Sequence, residues 1–165
     1  RLTSFEGNHP VSPEPVPLDS FVSEVIASAQ TDPSFSGYRI EHSAEPGLRN
    51  TAVDRGRMKE VLLNLLINAR EAQPEGGVIR TTVRSEGRRL VLSVEDEGTG
   101  MDPETAERCF EPYFSTKERG SGLGLSVVMR IVKAHGGTIR VRSAPNAGTS
   151  VDILLPVRDK GKEAE

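Results

Sequence analysis

At 165 residues and 17.9 kDa the chain is one domain's worth of sequence, enough for a single two-layer core and too short for a barrel or a two-domain enzyme. An apolar share of 35% with 16 glycines is ordinary for a globular domain, and 24 acidic against 21 basic residues leave a net charge of −3, with no basic excess to neutralise a nucleic-acid backbone. The single cysteine, Cys109, excludes an internal disulfide, it spells no zinc spacing with His9, His42 and His135, and no apolar run approaches the roughly 20 residues of a membrane span, so a reducing, cytoplasmic setting fits.

Pro10, Pro13, Pro15 and Pro17 predict an extended segment, because proline fixes φ and restrains the residue before it; residues 1–17 read as a linker. Leu18, Val22, Val25, Ile26 and Ala29 recur at helical spacing and predict a helix over about 19–30, capped by Asp19 or Ser20. Residues 38–42 and 48–53 read as two short strands around a Pro46-Gly47 turn and are expected to form one hairpin. From Asp54 to Ala72 the pattern becomes a long helix, with Met58, Val61, Leu62, Leu65, Ala69 and Ala72 as its apolar stripe. Residues 78–85 and 89–95 alternate with period two across Glu86-Gly87, a second hairpin. Residues 96–122 are glycine-rich and charged, with a short helix near Pro103 to Arg108, and a connection of that length is usually functional or disordered. A helix over 123–134 closes at His135-Gly136-Gly137, and 138–143 with 149–155 make a third hairpin. Three hairpins interleaved with three helices predict an α+β two-layer α/β sandwich, a mixed and mostly antiparallel sheet with helices on one face.

Three features carry chemistry. On the long helix Glu60, Asn64 and Asn68 are spaced by four and form a polar stripe beside the apolar one. Asparagine is a poor helix former, so two in mid-helix ask for a reason; a solvated surface is one, and a neutral oxygen ligand for Mg²⁺ is another. Asp96-Glu97-Gly98-Thr99-Gly100 follows the end of a strand, where a carboxylate can accept from an exocyclic amine while glycines let backbone approach a ligand. Gly120-Ser121-Gly122-Leu123-Gly124-Leu125 precedes a helix, and amides free of side chains at a helix start attract phosphate, although a flexible hinge has the same composition. Neither GxxxxGK[ST] nor GxGxxG occurs, and HRD and DFG are absent. Phe110, Tyr113, Phe114 and Lys117 form an aromatic cluster with a lysine between the acid and the glycine-rich turn, as in a lid or a loop pinned to the core.

In this order, with a final Gly148-Thr149, these motifs resemble the ATP-binding catalytic domain of sensor histidine kinases, of the Bergerat or GHKL ATPase superfamily, over residues 18–156. Glu111-Pro112-Tyr113-Phe114-Ser115-Thr116-Lys117 with Asn68-Ala69-Arg70-Glu71-Ala72 looks most like the nitrogen-regulation type. The resemblance implies a Bergerat sandwich with a long ATP lid, and ATP and Mg²⁺ as cofactors. It makes residues 1–17 a linker from a helical dimerisation domain and 157–165 a charged tail. It gives Asp96 to the adenine amino group, with Gly98, Gly100 and Thr149 shaping that pocket, Asn68 to the metal and Asn64 to the phosphates. Lys117, Gly120, Ser121, Gly122, Leu123 and Gly124 would close over the triphosphate, and Glu60, Asn64 and Lys117 are the catalytic candidates. The γ-phosphoryl group would pass to a histidine on the dimerisation domain of the same protein, then to a response-regulator receiver domain, within a full-length homodimer. Membrane contact by this segment is not expected, and anchoring of the parent protein is left open. Two departures stand out: Glu71 where many relatives have lysine, and Ser150 where a bulky apolar residue is common. An anti-sigma-factor-type serine kinase of the same superfamily and a non-catalytic interaction module are the alternatives.

Overall fold

The computed structural model describes residues 10–111 and 124–157. In chain order these residues form β1 (Glu14–Val16), α1 (Leu18–Gln30), a 3₁₀ turn (Pro33–Phe35), β2 (Tyr38–Ala44), β3 (Thr51–Val53), α2 (Arg55–Glu71), β4 (Gly77–Glu86), β5 (Arg89–Asp96), α3 (Pro103–Arg108), α4 (Gly124–Ala134), β6 (Thr138–Ser143) and β7 (Thr149–Pro156). Five strands make one sheet in the order β2-β4-β5-β7-β6; β2 runs parallel to β4 and the other pairs are antiparallel. The α+β class and the mixed sheet are as expected, and the second and third hairpins are β4–β5 and β6–β7.

The first hairpin is a correction. β2 does not pair with β3: it takes β4 as its partner, Tyr38 opposite Gly77 through Ala44 opposite Val83, while β3 pairs with β1 in a separate two-stranded sheet. A parallel pair needs a long crossover, and the helix α2 supplies it. Local composition marks a strand but not its partner. The proline-rich segment is extended as expected, and its residues 14–16 are a strand of the fold, with Val16 fully buried. α1 also differs at its start: Pro17 occupies the N-cap without a side-chain bond, and Oδ1 of Asp19 lies 2.7 Å from Nε2 of His42 on β2.

Core residues of the sheet alternate along each strand, which places α1, α2 and α4 over one face. Ile79 and Val83, Leu90, Leu92 and Val94, and Val151, Ile153 and Leu155 join Val22, Leu62, Leu65, Val128 and Val132 in one apolar cluster. The register aligns these residues across the sheet, Leu92 against Ile153 and Val94 against Val151. The opposite face is charged. Arg140 and Arg142 both reach Asp152, at 3.0 and 3.1 Å, and Arg140 also bonds Glu86 at 3.1 Å. Among the described residues no helix is long and apolar enough to cross a membrane.

Candidate functional site

β5 ends at Asp96, opposite Thr149 of β7, and the chain then turns across the C-terminal end of α2. The turn is held by its own carboxylate, whose Oδ1 accepts from the Gly98 amide at 2.8 Å. On one side it is bolted to α2: the Thr99 amide donates to the Ala72 carbonyl at 3.2 Å, and the Glu97 amide to Oε1 of the buried Gln73 at 3.3 Å. On the other side it is bolted to the β6–β7 connection. The Asn146 amide donates to the Thr99 carbonyl at 2.7 Å, and the Met101 amide to Oγ of Ser143 at 2.8 Å.

Two glycines are required by this packing. A Cβ at Gly98 would fall on the Ala72 carbonyl, and one at Gly100, where φ is +70°, on the Ala144 carbonyl. The turn thereby becomes one wall of a cavity of about 270 Å³. Leu65, Asn68, Ala69, Glu71 and Ala72 of α2 form a second wall, Val94, Asp96, Val141, Thr149 and Val151 the sheet side, and Met101, Cys109 and Leu125 the rest. Asp96 is 8% exposed and lines this space between the apolar side chains of Val94, Val141 and Val151. Thr149 Oγ1 lies 2.8 Å from Oγ of Ser143.

Further along α2, Asn64 donates through Nδ2 to the Glu60 carbonyl at 2.9 Å, which leaves its Oδ1 directed at Gly124, the first residue of α4. A Cβ on Gly124 would sit 3.3 Å from that oxygen and 3.9 Å from Nδ2 of Asn68. Nδ2 of Asn68 is buried and has no hydrogen-bond partner among the described residues, a costly state for an amide. Turning the amide by half a revolution puts Oδ1 there instead, a neutral oxygen of the kind that a hard divalent cation takes. The residues present therefore fit Mg²⁺.

The structure thus brings Asn68, Asp96, Gly100 and Thr149 to one cavity, with Asn64 and Gly124 beside it and Gly98 behind its wall. Glu60 is not among the cavity's lining residues, and its carboxylate lies 3.4 Å from Nη1 of Arg57. Lys117, Gly120, Ser121, Gly122 and Leu123 lie outside the described residues. Cys109 and Met101 are cavity residues that sequence reading missed, having used Cys109 only to exclude a disulfide; isolated apolar residues in an irregular segment have no period to reveal them. Burial pushes the Cys109 thiol up to about 11. The two described histidines are both engaged: His42 bonds Thr81 and Asp19, each at 2.7 Å, and His135 bonds the Ile131 carbonyl and the Asp54 amide.

A cleft with a buried carboxylate in its wall, and with Oδ1 of Asn64 facing the first residue of a helix beside it, can accept an N–H donor at one place and hold polar oxygens at another. Comparison with known proteins gives the family. Residues 53–159 match the model of the histidine kinase-, DNA gyrase B-, and HSP90-like ATPases, and the chain belongs to that family. It is 40% identical over 151 residues to the sensor histidine kinase ZraS of Klebsiella oxytoca, covering 91% of this chain and 33% of the relative. It is 36% identical over 149 residues to the histidine-protein kinase AtoS of Escherichia coli K12, covering 90% and 24%. The chain spans about a third of the length of ZraS. Among solved structures, the catalytic domain of the histidine kinase ThkA superposes with a TM-score of 0.79 at 29% identity, covering 89% of this chain and 97% of that one. Full-length ShkA in complex with AMPPNP superposes with a TM-score of 0.81 at 28% identity, covering 92% and 32%. The finer likeness to the nitrogen-regulation type stays an expectation.

Proposed function

We propose that this domain binds Mg·ATP in the cleft and presents its γ-phosphoryl group to a histidine on a separate dimerisation domain of the same protein, from which a response-regulator receiver domain takes it. The observation that carries the reading is Asp96: a nearly buried carboxylate, held in place by the Gly98 amide, in the wall of a cavity of about 270 Å³. Its acceptor oxygens suit the amino group of adenine and repel the carbonyl oxygen that guanine has at the same place. Thr149 and Gly100 shape the same end.

Asn68 would hold the metal and Asn64 the phosphates, with Gly124 close enough for backbone to meet the same oxygens. Mg²⁺, when bound, would neutralise triphosphate charge; the described cavity lining holds two carboxylates, Glu71 and Asp96, and no lysine or arginine, so that lining leaves the charge to the cation and to Lys117 with the glycines 120 and 122. With little covalent chemistry for the protein to perform, rate comes from positioning and charge neutralisation. The full-length protein would act as a homodimer. His42 and His135, with their ring nitrogens occupied, are poor phosphoacceptors, which supports a histidine supplied by another domain.

The test is calorimetric titration with Mg·ATP and Mg·GTP. Wild type binds ATP saturably and GTP weakly. Asp96→Asn exchanges an acceptor for a donor against the adenine amine, and about 1.5–3 kcal/mol of charged hydrogen bonding, roughly ten- to a hundredfold in affinity, disappears. Unchanged affinity in that variant overturns the adenine assignment. Asn68→Ala loses chiefly the Mg²⁺ dependence of binding.

A further inference from the structure

Asp54 stands where three parts of the chain meet. Its Oδ1 caps α2 by accepting from the Arg57 amide at 3.2 Å, and its Oδ2 accepts from the Ser12 amide of the proline-rich strap at 2.9 Å. Its own amide donates to Nε2 of His135 at 3.0 Å. The His135 ring is 6% exposed, and its other nitrogen, Nδ1, donates to the Ile131 carbonyl at 2.9 Å. A backbone donor on one side and a backbone acceptor on the other define the tautomer, with the proton on Nδ1. The Ser12 amide is the main influence holding the Asp54 carboxyl below its ordinary value.

This node lies at one end of a helix pair whose other end is the cleft. α4 starts at Gly124, beside Asn64 and Asn68 of α2, and closes at His135, beside the N-cap of α2, so the two helices pack antiparallel. At 1.5 Å per residue, Asn64 is about 15 Å along α2 from Asp54. Between its ends α4 is held on α2 by apolar packing, Val128 and Val132 sharing the core with Leu62 and Leu65, and at each end a polar point sets its placement: the Asp54–His135 bond, and the approach of Gly124 to the asparagines.

We infer that Asp54 and His135 are positioning residues through which docking of the strap, residues 10–16, is coupled to occupancy of the nucleotide cleft; this rests on the nucleotide reading above. A nucleotide that fixes Gly124 against Asn64 and Asn68 selects one placement of α4 on α2. In that placement His135 receives the Asp54 amide and the Asp54 carboxylate faces Ser12, while β1 of the strap pairs with β3, which leads directly into Asp54. Coupling of this kind is reciprocal. Whatever holds the strap against the domain raises nucleotide affinity, and nucleotide holds the strap by the same factor.

Calorimetry with Mg·ATP and hydrogen exchange at the Ser12 amide, with and without Mg·ATP, test this on the present chain. Asp54→Asn keeps an oxygen for the α2 cap but sets an amide group against the Ser12 amide, and Ser12→Pro removes the Ser12 donor at an exposed position that belongs to neither helix. In wild type, saturating Mg·ATP slows Ser12 exchange about fivefold or more, and both variants weaken Mg·ATP by a like factor. In Asp54→Asn the nucleotide no longer slows that exchange. His135→Gln, which retains an acceptor near Nε2, keeps affinity, while His135→Leu loses it. No saturable binding by wild type overturns the nucleotide reading itself. Wild-type binding with Ser12 exchange indifferent to nucleotide, or with Ser12→Pro binding as tightly as wild type, overturns the coupling alone, and Ser12→Pro decides even where Asp54→Asn does not fold.

Discussion

At Gly100 a φ of +70° and a neighbouring carbonyl where a Cβ would stand leave glycine as the residue that fits. Gly100→Ala is expected to cost about 1–3 kcal/mol, from left-handed backbone and from the push against Ala144, and to weaken Mg·ATP as the turn leaves Asn146 and Ser143. Thermal melting and calorimetry check the two effects. Cys109 offers a second test at this scale. With its thiol raised from 9.0 to about 11, it is almost wholly protonated near neutral pH, so alkylation by iodoacetamide should be slow in the folded chain and speed up by roughly a hundredfold in denaturant at pH 8. Equal rates in the two states would place the thiol in water. Asp96, Asn68 and the glycines were legible in the sequence because each is an unusual residue for its local element, whereas Met101 and Cys109 are ordinary residues whose importance comes from what folds over them.

α2 carries both the core stripe and the site, and its limits follow from local chemistry: Asp54 caps it, and it ends one residue before Ala72, ahead of Pro74 and Gly76. Leu62, fully buried in the stripe, should cost about 2–5 kcal/mol on truncation to alanine, read from urea denaturation, with the loss at the low end if neighbours collapse into the space. The helices and the two hairpins with tight turns were readable because periodicity and turn residues act within a few residues of themselves. β2 and β3 were not, because their strand character is local while their partners, β4 and β1, are chosen by a crossover helix and by a strap that returns along the sequence. The start of α1 is likewise a tertiary matter: Asp19 has the composition of a cap, but its carboxylate meets His42 of β2.

Across the whole molecule, charge is concentrated on the sheet face away from the helices. Burial alone would raise the Asp152 carboxyl, but bonds from Ser93 and Arg140 and the Arg142 charge outweigh it and hold it below its ordinary value. Asp152→Asn should lower stability by about 1–3 kcal/mol in a melting experiment, moderated because both arginines recover water. Asp32, Glu41, Asp54, Glu86 and Asp102 are depressed too, each by hydrogen bonds as the leading cause. Groups of lowered folded pKa bind protons more readily in the unfolded chain, so their stabilisation is complete above the ordinary carboxylate values of 3.8 to 4.5 and is lost as pH falls through the folded ones. Scanning calorimetry should therefore find a melting temperature nearly unaffected by these groups from pH 8 to about pH 5 and falling below about pH 4. A melting temperature that rises on acidification contradicts the sign.

By itself the sequence determined the helices, the tight hairpins, the two-layer class and the identities of the polar groups offered to a ligand, since periodicity, caps and side-chain chemistry are local properties. Tertiary structure alone decided that β2 runs parallel to β4, that Asp96 and Thr149 meet across a register, that Cys109 and Met101 face the same space, and that Ser12 and His135 meet at Asp54. Each of those joins residues far apart in the chain, Cys109 and Met101 by sharing a cavity with α2 and β7. Such pairings depend on which long loops close, and that is set by the free energy of the assembled core and not by any one segment.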